Sequence, residues 1–310
     1  MAHKPELLAT ASSLEELERL IAAGADAFVI GEARYGMRLA GEFSKDLIAQ
    51  AVSIAKPKGS RIYVSLNNLM DNEAVETLND YVAFLAEAGV DAIIFGDPAV
   101  LMAARKHAPG IALHWNAEMT STNYVTANYW GRRGAGRYVL ARELNMEQVV
   151  ETASSTDLET QVQVHGMTNI YHSKRSLVDS YLVHQVDTDR LPRKDKDRGL
   201  YVMEAERQDE RYPIFEDDNG THIMSSDDIC MLENLHELME AGITSLKIEG
   251  IMKSIEYNEI VVRAYRHVID AYIADPSGYS FQEEWLDAIR DVQNPDRELS
   301  FGFFYKEQVY

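Results

Sequence analysis

Short apolar runs alternate with amphipathic segments of helical length along most of the chain. The apolar runs have the length of buried strands, and the segments between them repeat apolar residues at the helical period. Several of these segments begin after Ser, Asp or Asn and end at Gly, which are the residues that cap helices. A strand followed by a helix, repeated many times, predicts right-handed crossovers and a parallel sheet.

Eight strand-helix units can be read from this pattern, and they favour an α/β fold of the (β/α)8 TIM-barrel type over an open doubly wound sheet. No GxGxxG turn supports a dinucleotide fold. The predicted strands lie in ELLATAS, ADAFVIG, RIYVSLNN, VDAIIFGD, IALHWNAE, GRYVLARE, TQVQVHG and ITSLKIEG.

A long irregular stretch at about 167–242 separates the seventh predicted strand from the eighth. It is too long for an ordinary connection in a barrel, so we expect a lid or subdomain over the strand ends. The expected organisation is a barrel domain over 1–276, which includes this insertion, and a C-terminal tail over 277–310.

Polar residues occupy every second position in four of the predicted strands. Because helices cover the outside of such a barrel, the apolar faces should meet the helices and the polar faces should point inward. Buried polar groups must pair with one another or bind a polar ligand, and an ion pair between Lys247 and Glu249 is one structural alternative. An antiparallel sheet with its polar faces in water is another. The inward sets are Tyr63, Ser65 and Asn67; His114, Asn116 and Glu118; Gln161, Gln163 and His165; Ser245, Lys247 and Glu249.

Barrels of this type carry their chemistry at the C-terminal ends of the strands. Lys174 and Arg175 follow the seventh strand and are predicted to meet a phosphate or carboxylate, the alternative being a solvated surface pair. His114, Glu118 and His165 are residue types that suit iron or zinc, but their spacing does not require a metal, and none is assigned. The candidate catalytic residues are Glu118, Glu143, His165 and Glu249, and the candidate ligand-binding residues are Asn67, His114, Asn116, Arg142, Lys174, Arg175 and Lys247.

The charge balance restricts the choice of partners. There are 50 acidic and 30 basic side chains, a net charge of -20, which argues against indiscriminate binding to nucleic acid or to an anionic membrane. Nucleic-acid contact would need local patches such as HSKRS, PRKDKDR or GRRGAGR. The single cysteine, Cys230, excludes an internal disulfide. Neither a signal peptide nor a membrane-spanning run is recognisable, so we expect a cytoplasmic protein without a membrane partner.

Seven ordered motifs between about Pro5 and Asp275 resemble peptidase family U32, also called the collagenase-like proteases. Among them are YVSLNNLMDNEAVETL, IIFGDPAVLMAARKHAP, VLARELNMEQV, VQVHGM and HIMSSDDICMLENLHELMEAGITSLKIEGIMKS. Within the family the chain is similar to a short, cysteine-poor subgroup whose genes are often found beside a longer paralogue. The resemblance implies a barrel fold and a role in hydroxylating the wobble uridine of transfer RNA. Arg38, in the motif GEARYGMRLAGEFS, joins the ligand-binding candidates.

In relatives this reaction is linked to prephenate and to an iron-sulfur cluster, and here the chain departs from the family pattern. Two positions that carry cysteine in typical members are Asn169 and Ser176, and the later cysteine motif is missing. Without four thiolates the cluster cannot be held in the usual way. We therefore expect no cofactor bound by cysteine ligands, and a small anion such as prephenate or a related carboxylate as the ligand.

Three functions remain open at this stage. The chain could take part in uridine hydroxylation, with transfer RNA and a longer cysteine-bearing paralogue as partners. It could be a peptidase with an acid/base or metal mechanism built from His114, Glu118, His165 or Glu249. It could also be a non-catalytic protein that binds a small carboxylate in its polar cavity.

Overall fold

The computed structural model describes residues 4–116, 121–185, 196 and 199–307. In chain order the strands are β1 (Glu6–Thr10), β2 (Ala27–Ile30), β3 (Arg61–Leu66), β4 (Ala92–Phe95), β5 (Ala112–Trp115), β6 (Arg137–Val139), β7 (Glu159–Gly166), β8 (Asn169–Ser173), β9 (Tyr201–Val202), β10 (Tyr212–Asp217), β11 (Gly220–Met224), β12 (Asp228–Cys230), β13 (Ser245–Ile248) and β14 (Leu299–Ser300).

The α-helices are α1 (Leu14–Ala23), α2 (Lys45–Ala55), α3 (Asn72–Ala88), α4 (Pro98–His107), α5 (Tyr124–Gly131), α6 (Met146–Ser154), α7 (Leu177–Gln185), α8 (Leu235–Glu240), α9 (Ile255–Ala274) and α10 (Glu284–Arg290), and a 3-10 turn spans Lys56–Lys58. Several of them start at the predicted caps. Ser13 accepts a hydrogen bond from the Glu16 amide, and Asn145 forms a reciprocal capping box with Gln148.

Strands β1 to β7 and β13 form a closed parallel barrel. Closure is made by β13, which pairs with β1 on one side, Leu8 opposite Lys247, and with β7 on the other, Gln163 opposite Lys247. This confirms the predicted fold class. The main core lies between the barrel wall and the helices, and a smaller apolar cluster that contains Leu8, Tyr63 and Ile94 fills the barrel interior.

A network of charged and polar side chains closes the N-terminal end of the barrel, below that apolar cluster. The Glu6 carboxylate accepts hydrogen bonds from Arg137 at 2.6 Å, Tyr63 at 2.6 Å and Ser245 at 2.8 Å, and it forms an ion pair with Arg61 at 2.5 Å. Burial opposes ionisation of Glu6, but the arginines and the tyrosine outweigh burial and lower its pKa. Inward polar residues at this end therefore satisfy one another.

The insertion between β7 and β13 forms a cap over the opposite end. Its antiparallel sheet has the order β8-β11-β10-β9. The tip of the β10-β11 hairpin contacts the barrel, where Asn219 donates to the carbonyls of Ala33 at 3.1 Å and Gly36 at 3.2 Å and accepts from Asn68 at 2.6 Å. The predicted lid over the strand ends is confirmed.

The last part of the insertion and the segment after α9 pack on the outside of the barrel. β12 runs antiparallel to β7, and β14 pairs with β12 in parallel. Phe304 is buried in the main core, and its carbonyl accepts from the Met146 amide at 2.8 Å. Among the described residues, no helix is both long and apolar enough to cross a membrane.

The buried Glu6 network predicts a large stability effect for a small substitution. Glu6→Gln should destabilise the fold by about 3 kcal/mol, because it leaves the buried Arg137 guanidinium with less compensating charge. Urea unfolding followed by circular dichroism measures the change. Glu256→Gln, which alters an exposed ion pair with Arg19, is the control and should have little effect. Equal shifts of the urea midpoint for the two variants would contradict this role of Glu6.

Candidate active site

A cavity of about 70 Å³ lies at the C-terminal ends of the barrel strands, beneath the cap. Its position is the one where barrels of this type place their chemistry. The strand ends and the loops that follow them provide Thr10, Arg38, Asn67, Asn116, Arg142, Gln163, Lys247 and Glu249, and the cap side provides Met167, Asn169 and Met224.

Three cations and one carboxylate line this cavity: Arg38, Arg142, Lys247 and Glu249. Lys247 donates to Glu249 at 2.8 Å, so the ion pair considered as an alternative is present. Glu249 also accepts from the Thr10 hydroxyl at 3.1 Å, so its carboxylate is held in place. Among the described lining residues, cations outnumber carboxylates by three to one, in a chain whose net charge is -20. A lining rich in cations is of the kind that attracts small anions.

The backbone of Arg38 is left-handed, with φ of 53°. A non-glycine residue in this region is uncommon, and the surrounding structure must hold it there. Asn67, which accepts from the Met37 amide at 2.9 Å, anchors the neighbouring residue of the same loop. Strain of this kind is often found at ligand sites, and here it occurs in a residue that lines the cavity.

Amide side chains complete the polar lining, and their partners fix their orientation. Asn67 accepts from the Ser65 hydroxyl at 2.9 Å, and Gln163 donates to the Met167 carbonyl at 2.9 Å. The predicted ligand-binding residues Arg38, Asn67, Asn116, Arg142 and Lys247 and the predicted catalytic residue Glu249 therefore meet around one cavity.

The predicted orientation of His165 toward the barrel mouth is wrong. The pairing of β7 with β13 shifts register between Lys247, opposite Gln163, and Ile248, opposite His165. This bulge ends the strict alternation of faces, so His165 points away from the barrel interior and toward α9. A Cβ atom on Gly166 would collide with the Glu249 carbonyl, so the glycine permits the close approach of the two strands.

His165 is completely buried between two tyrosines of α9. Its Nε2 atom is 2.9 Å from the Tyr257 hydroxyl, and its Nδ1 atom is 3.4 Å from the Tyr265 hydroxyl. Burial is the main cause that lowers the pKa of His165 to about 3. The imidazole is therefore neutral at physiological pH, and its contacts are those of a packing residue that orients Tyr257.

His114 lies in the closed end of the barrel, against the edge of the Tyr63 ring at 4.7 Å between centroids. Burial, with help from Arg137 and Arg61, lowers its pKa well below the usual value. It does not line the cavity, contrary to the ligand-binding prediction. Glu118 lies outside the described residues.

The remaining predicted site residues lie away from the cavity lining. Lys174 donates to the Leu69 carbonyl at 3.0 Å on the outer rim of the cap, and Arg175 is exposed next to it. Glu143 follows Arg142 in the chain but does not line the cavity. Lys174 and Arg175 do not line this cavity, because β8 carries them past the mouth, and their binding of an anion stays a prediction.

The patch GRRGAGR is also divided by the fold. Arg137 points into the barrel and is 2% exposed, while Arg132 is exposed. This segment precedes β6, so it lies at the N-terminal end of the barrel, opposite the cavity. The patch cannot form one basic surface with the cap.

Sequence reasoning missed several contributors to the cavity. Thr10 ends β1 and could have been found by the rule that located the other strand ends. Asn169 donates to the carbonyls of Tyr171 at 2.9 Å and Ile223 at 3.2 Å, so a position that the resemblance assigned to a cluster cysteine now ties β8 to β11. Met224 comes from the cap, where no pattern in the sequence indicated a contact with the barrel.

The residues present do not fit an iron-sulfur cluster. The whole chain has one cysteine, and Cys230 is buried on β12 opposite His165, where burial raises the pKa of its thiol. Among the residues that the structure describes, no group of three His, Cys, Asp or Glu side chains could hold a metal ion. His114 and His165 lie on opposite faces of the barrel wall, so they cannot share a metal.

A closed parallel barrel whose capped mouth is lined by cations and amides defines a (β/α)8-barrel protein with a polar cavity at its strand ends. A model of peptidase family U32 matches residues 12–309, and the chain belongs to that family. The solved structure of the U32 peptidase Mk0906 is similar in fold, with a TM-score of 0.50 and 15% sequence identity over 79% of this chain and 92% of that one.

Two curated relatives come from Bacillus subtilis (strain 168). "tRNA hydroxylation protein P2" is 50% identical over 308 residues, which cover 99% of each chain. "tRNA hydroxylation protein P1" is 35% identical over 99% of this chain but only 74% of its own length, so it is the longer protein.

The buried state of His165 predicts how stability depends on pH. Below about 6.5 the unfolded chain protonates this histidine, whereas the folded chain keeps it neutral down to about 3. Wild-type stability should therefore fall with decreasing pH, and the loss should be absent in His165→Gln. The difference in unfolding free energy between the two should shrink by about 1.4 kcal/mol per pH unit between pH 6 and pH 4.

Tyr257→Phe is the matched control, because it removes the same hydrogen bond but no group that titrates in this range. Its destabilisation should stay nearly constant across the same buffers, as urea titrations can measure. If the difference in unfolding free energy between wild type and His165→Gln is equally independent of pH, the imidazole takes up its proton in the folded protein over the same pH range as in the unfolded chain.

Proposed function

We propose that this chain takes part in the hydroxylation of a transfer-RNA uridine and that its capped barrel mouth binds a small carboxylate for that reaction. The observation that carries the proposal is the cavity lined by Arg38, Arg142 and Lys247, in a chain that is 50% identical over nearly its full length to a tRNA hydroxylation protein. Prephenate, a small dicarboxylate, is the ligand that we assign to the mouth.

The cavity lining suits a carboxylate in two ways. Arginine side chains can bind a carboxylate through two parallel hydrogen bonds, and the amides of Asn67 and Asn116 add neutral polar groups around it. The side chains of Lys247 and Glu249 are only 20% and 12% exposed, so the site excludes most water. Electrostatic attraction is stronger in such a place than at the surface.

A partner follows from the chemistry that this chain lacks. Hydroxylation is an oxidation, and with one cysteine the chain cannot ligate a four-thiolate cluster. We assign the cluster to a longer, cysteine-bearing paralogue that acts together with this chain. The existence of both a P2 and a longer P1 protein in one Bacillus subtilis strain supports this assignment.

Peptidase activity is the weaker candidate. It would need a catalytic set formed by His114, His165 and Glu249 among the described candidates. His114 lies at the closed end, His165 lies behind the barrel wall, and Glu249 is held by Lys247 and Thr10. The protease name rests on the family name alone.

Deleting the gene tests the pathway assignment. In a strain that lacks this gene and keeps the longer paralogue, hydroxylated wobble uridine should fall, and the wild-type gene should restore it. Arg142→Gln should restore about tenfold less, because it removes one charged hydrogen-bond donor from the mouth. Nucleoside mass spectrometry of total transfer RNA measures the product.

Arg263→Gln, an exposed arginine on α9 with a 59% exposed side chain, is the matched control and should restore the modification fully. Unchanged modification after deletion, both in this strain and in one that also lacks the paralogue, would exclude the proposed role.

Binding of the carboxylate can be measured separately by calorimetry with purified protein and prephenate. We expect one site per chain, weakened about tenfold by Arg142→Gln and by Lys247→Gln and unaffected by Arg263→Gln. Equal heats of prephenate binding for the wild type and the three variants would show that prephenate does not occupy the mouth.

A further inference from the structure

A second, larger cavity lies beside the barrel mouth. This groove has a volume of about 890 Å³ and runs between the loop after β13, the β9-β10 side of the cap and the segment after α10. Ala40 and Met167 line both the groove and the mouth cavity, so the two are contiguous. Any ligand in the groove would lie next to the group bound in the mouth.

The charges that line the groove oppose the charge of the whole chain. Within the described part of the chain, its charged lining residues are Lys196, Arg211, Lys253, Arg297 and Asp296, which are four cations and one acid. The chain as a whole has 50 acidic and 30 basic side chains. This local inversion of charge is what a polyanion needs in order to approach an otherwise acidic protein.

A buried carboxylate holds two of the groove cations in place. Asp228 is buried beneath the groove, at 2.5 Å from Lys253 and 2.9 Å from Arg297. The two cations together exceed the charge of this carboxylate, although their side chains are only 7% and 8% exposed. The exposed Arg211 forms an ion pair with Asp296 at 3.0 Å, so the described lining keeps more cations than acids but none of the three is isolated. The network around Asp228 holds the side chains of Lys253 and Arg297 in place, and less conformational entropy would be lost when an anion binds.

Two tyrosines accompany the cations. Tyr201 is about half exposed on β9, and the Arg211 guanidinium lies 5.1 Å from its ring. Tyr257 borders the groove from α9 with its hydroxyl held by His165, but it is only 6% exposed, so Tyr201 is the ring available for stacking. Aromatic rings between basic side chains are the usual means by which proteins bind single-stranded nucleic acid, because bases stack on the rings while phosphates meet the cations.

The groove, like the mouth, is lined by a residue with a strained backbone. Arg38 and Met252 are the non-glycine residues with positive φ in the described chain, at 53° and 60°. Arg38 lines the mouth, and Met252 lines the groove. Backbone strain of this kind is often found at functional sites, and each of the two cavities has one strained residue in its lining.

We propose that the groove binds the RNA strand that flanks the target uridine, with a phosphate on Arg211, further attraction from the nearly buried cations Lys253 and Arg297, and a base against Tyr201. This inference rests on the proposed function and adds to it the surface on which the RNA lies. The contiguity of the two cavities then brings the RNA strand next to the carboxylate in the mouth.

The test uses a fluorescein-labelled anticodon stem-loop RNA with uridine at the wobble position, and fluorescence anisotropy at several salt concentrations. Arg211→Glu should weaken binding about tenfold and reduce the slope of log affinity against log salt by about 1. Tyr201→Ala should weaken binding about tenfold with little change in slope, because stacking is not an ionic contact. Thermal melts verify that both variants are folded.

Arg207→Glu is the matched control. Arg207 belongs to the same β9-β10 connection and its side chain is 53% exposed, against 49% for Arg211, but it does not line the groove. Its affinity should stay within about twofold of wild type. An equal loss for Arg207→Glu and Arg211→Glu, or no binding by the wild type, would overturn the proposal. Competition by excess inorganic phosphate as strong as that by unlabelled RNA would also overturn it, since the groove would then be a free-anion site.

The outcome is separable from that of the proposed function. If deletion abolishes uridine hydroxylation but Arg211→Glu binds RNA and restores the modification like wild type, the function stands and the groove assignment fails. If deletion leaves the modification intact while Arg211→Glu and Tyr201→Ala lose RNA binding, the groove assignment stands and the proposed function fails.

Discussion

The buried carboxylate of Glu6 is the interaction on which the barrel depends. It joins β1 to β3, β6 and β13 through Arg61, Tyr63, Arg137 and Ser245, so one side chain links four of the barrel strands across their N-terminal ends. A charge so deeply buried is tolerated only because several donors surround it. With that end closed by mutual pairing, the open end is left for a ligand.

The barrel interior therefore has three levels with different physical roles. Charged groups pair at the closed end, apolar side chains around Leu8 and Ile94 fill the middle, and cations and amides surround a small cavity below the cap. The apolar layer separates the two polar layers. The network at the closed end therefore does not pair with the charged side chains at the mouth.

The β7-β13 junction decides which side chains reach the mouth. A bulge turns His165 out of the barrel, and Gly166 allows the Glu249 carbonyl to approach. The histidine and glycine of this motif thus act in packing, where His165 supports Tyr257 in the wall of the larger groove. The same junction leads into the cap, whose hairpin tip is held by Asn219. Met167, which follows this junction, lines both the mouth and the groove.

The sequence by itself determined the barrel, the long insertion and most of the mouth, because strand-helix alternation and polar residues at strand ends are local patterns. Arg142, Lys247 and Glu249 were found this way. Tertiary structure alone decided the direction of His165, since a bulge depends on the pairing of two distant strands. It also decided that Arg137 pairs with Glu6, and that Asp228, Lys253 and Arg297 meet although they are far apart in the chain. No periodicity within one segment reports such contacts, because they arise only when the barrel closes and the C-terminal segment packs on its wall.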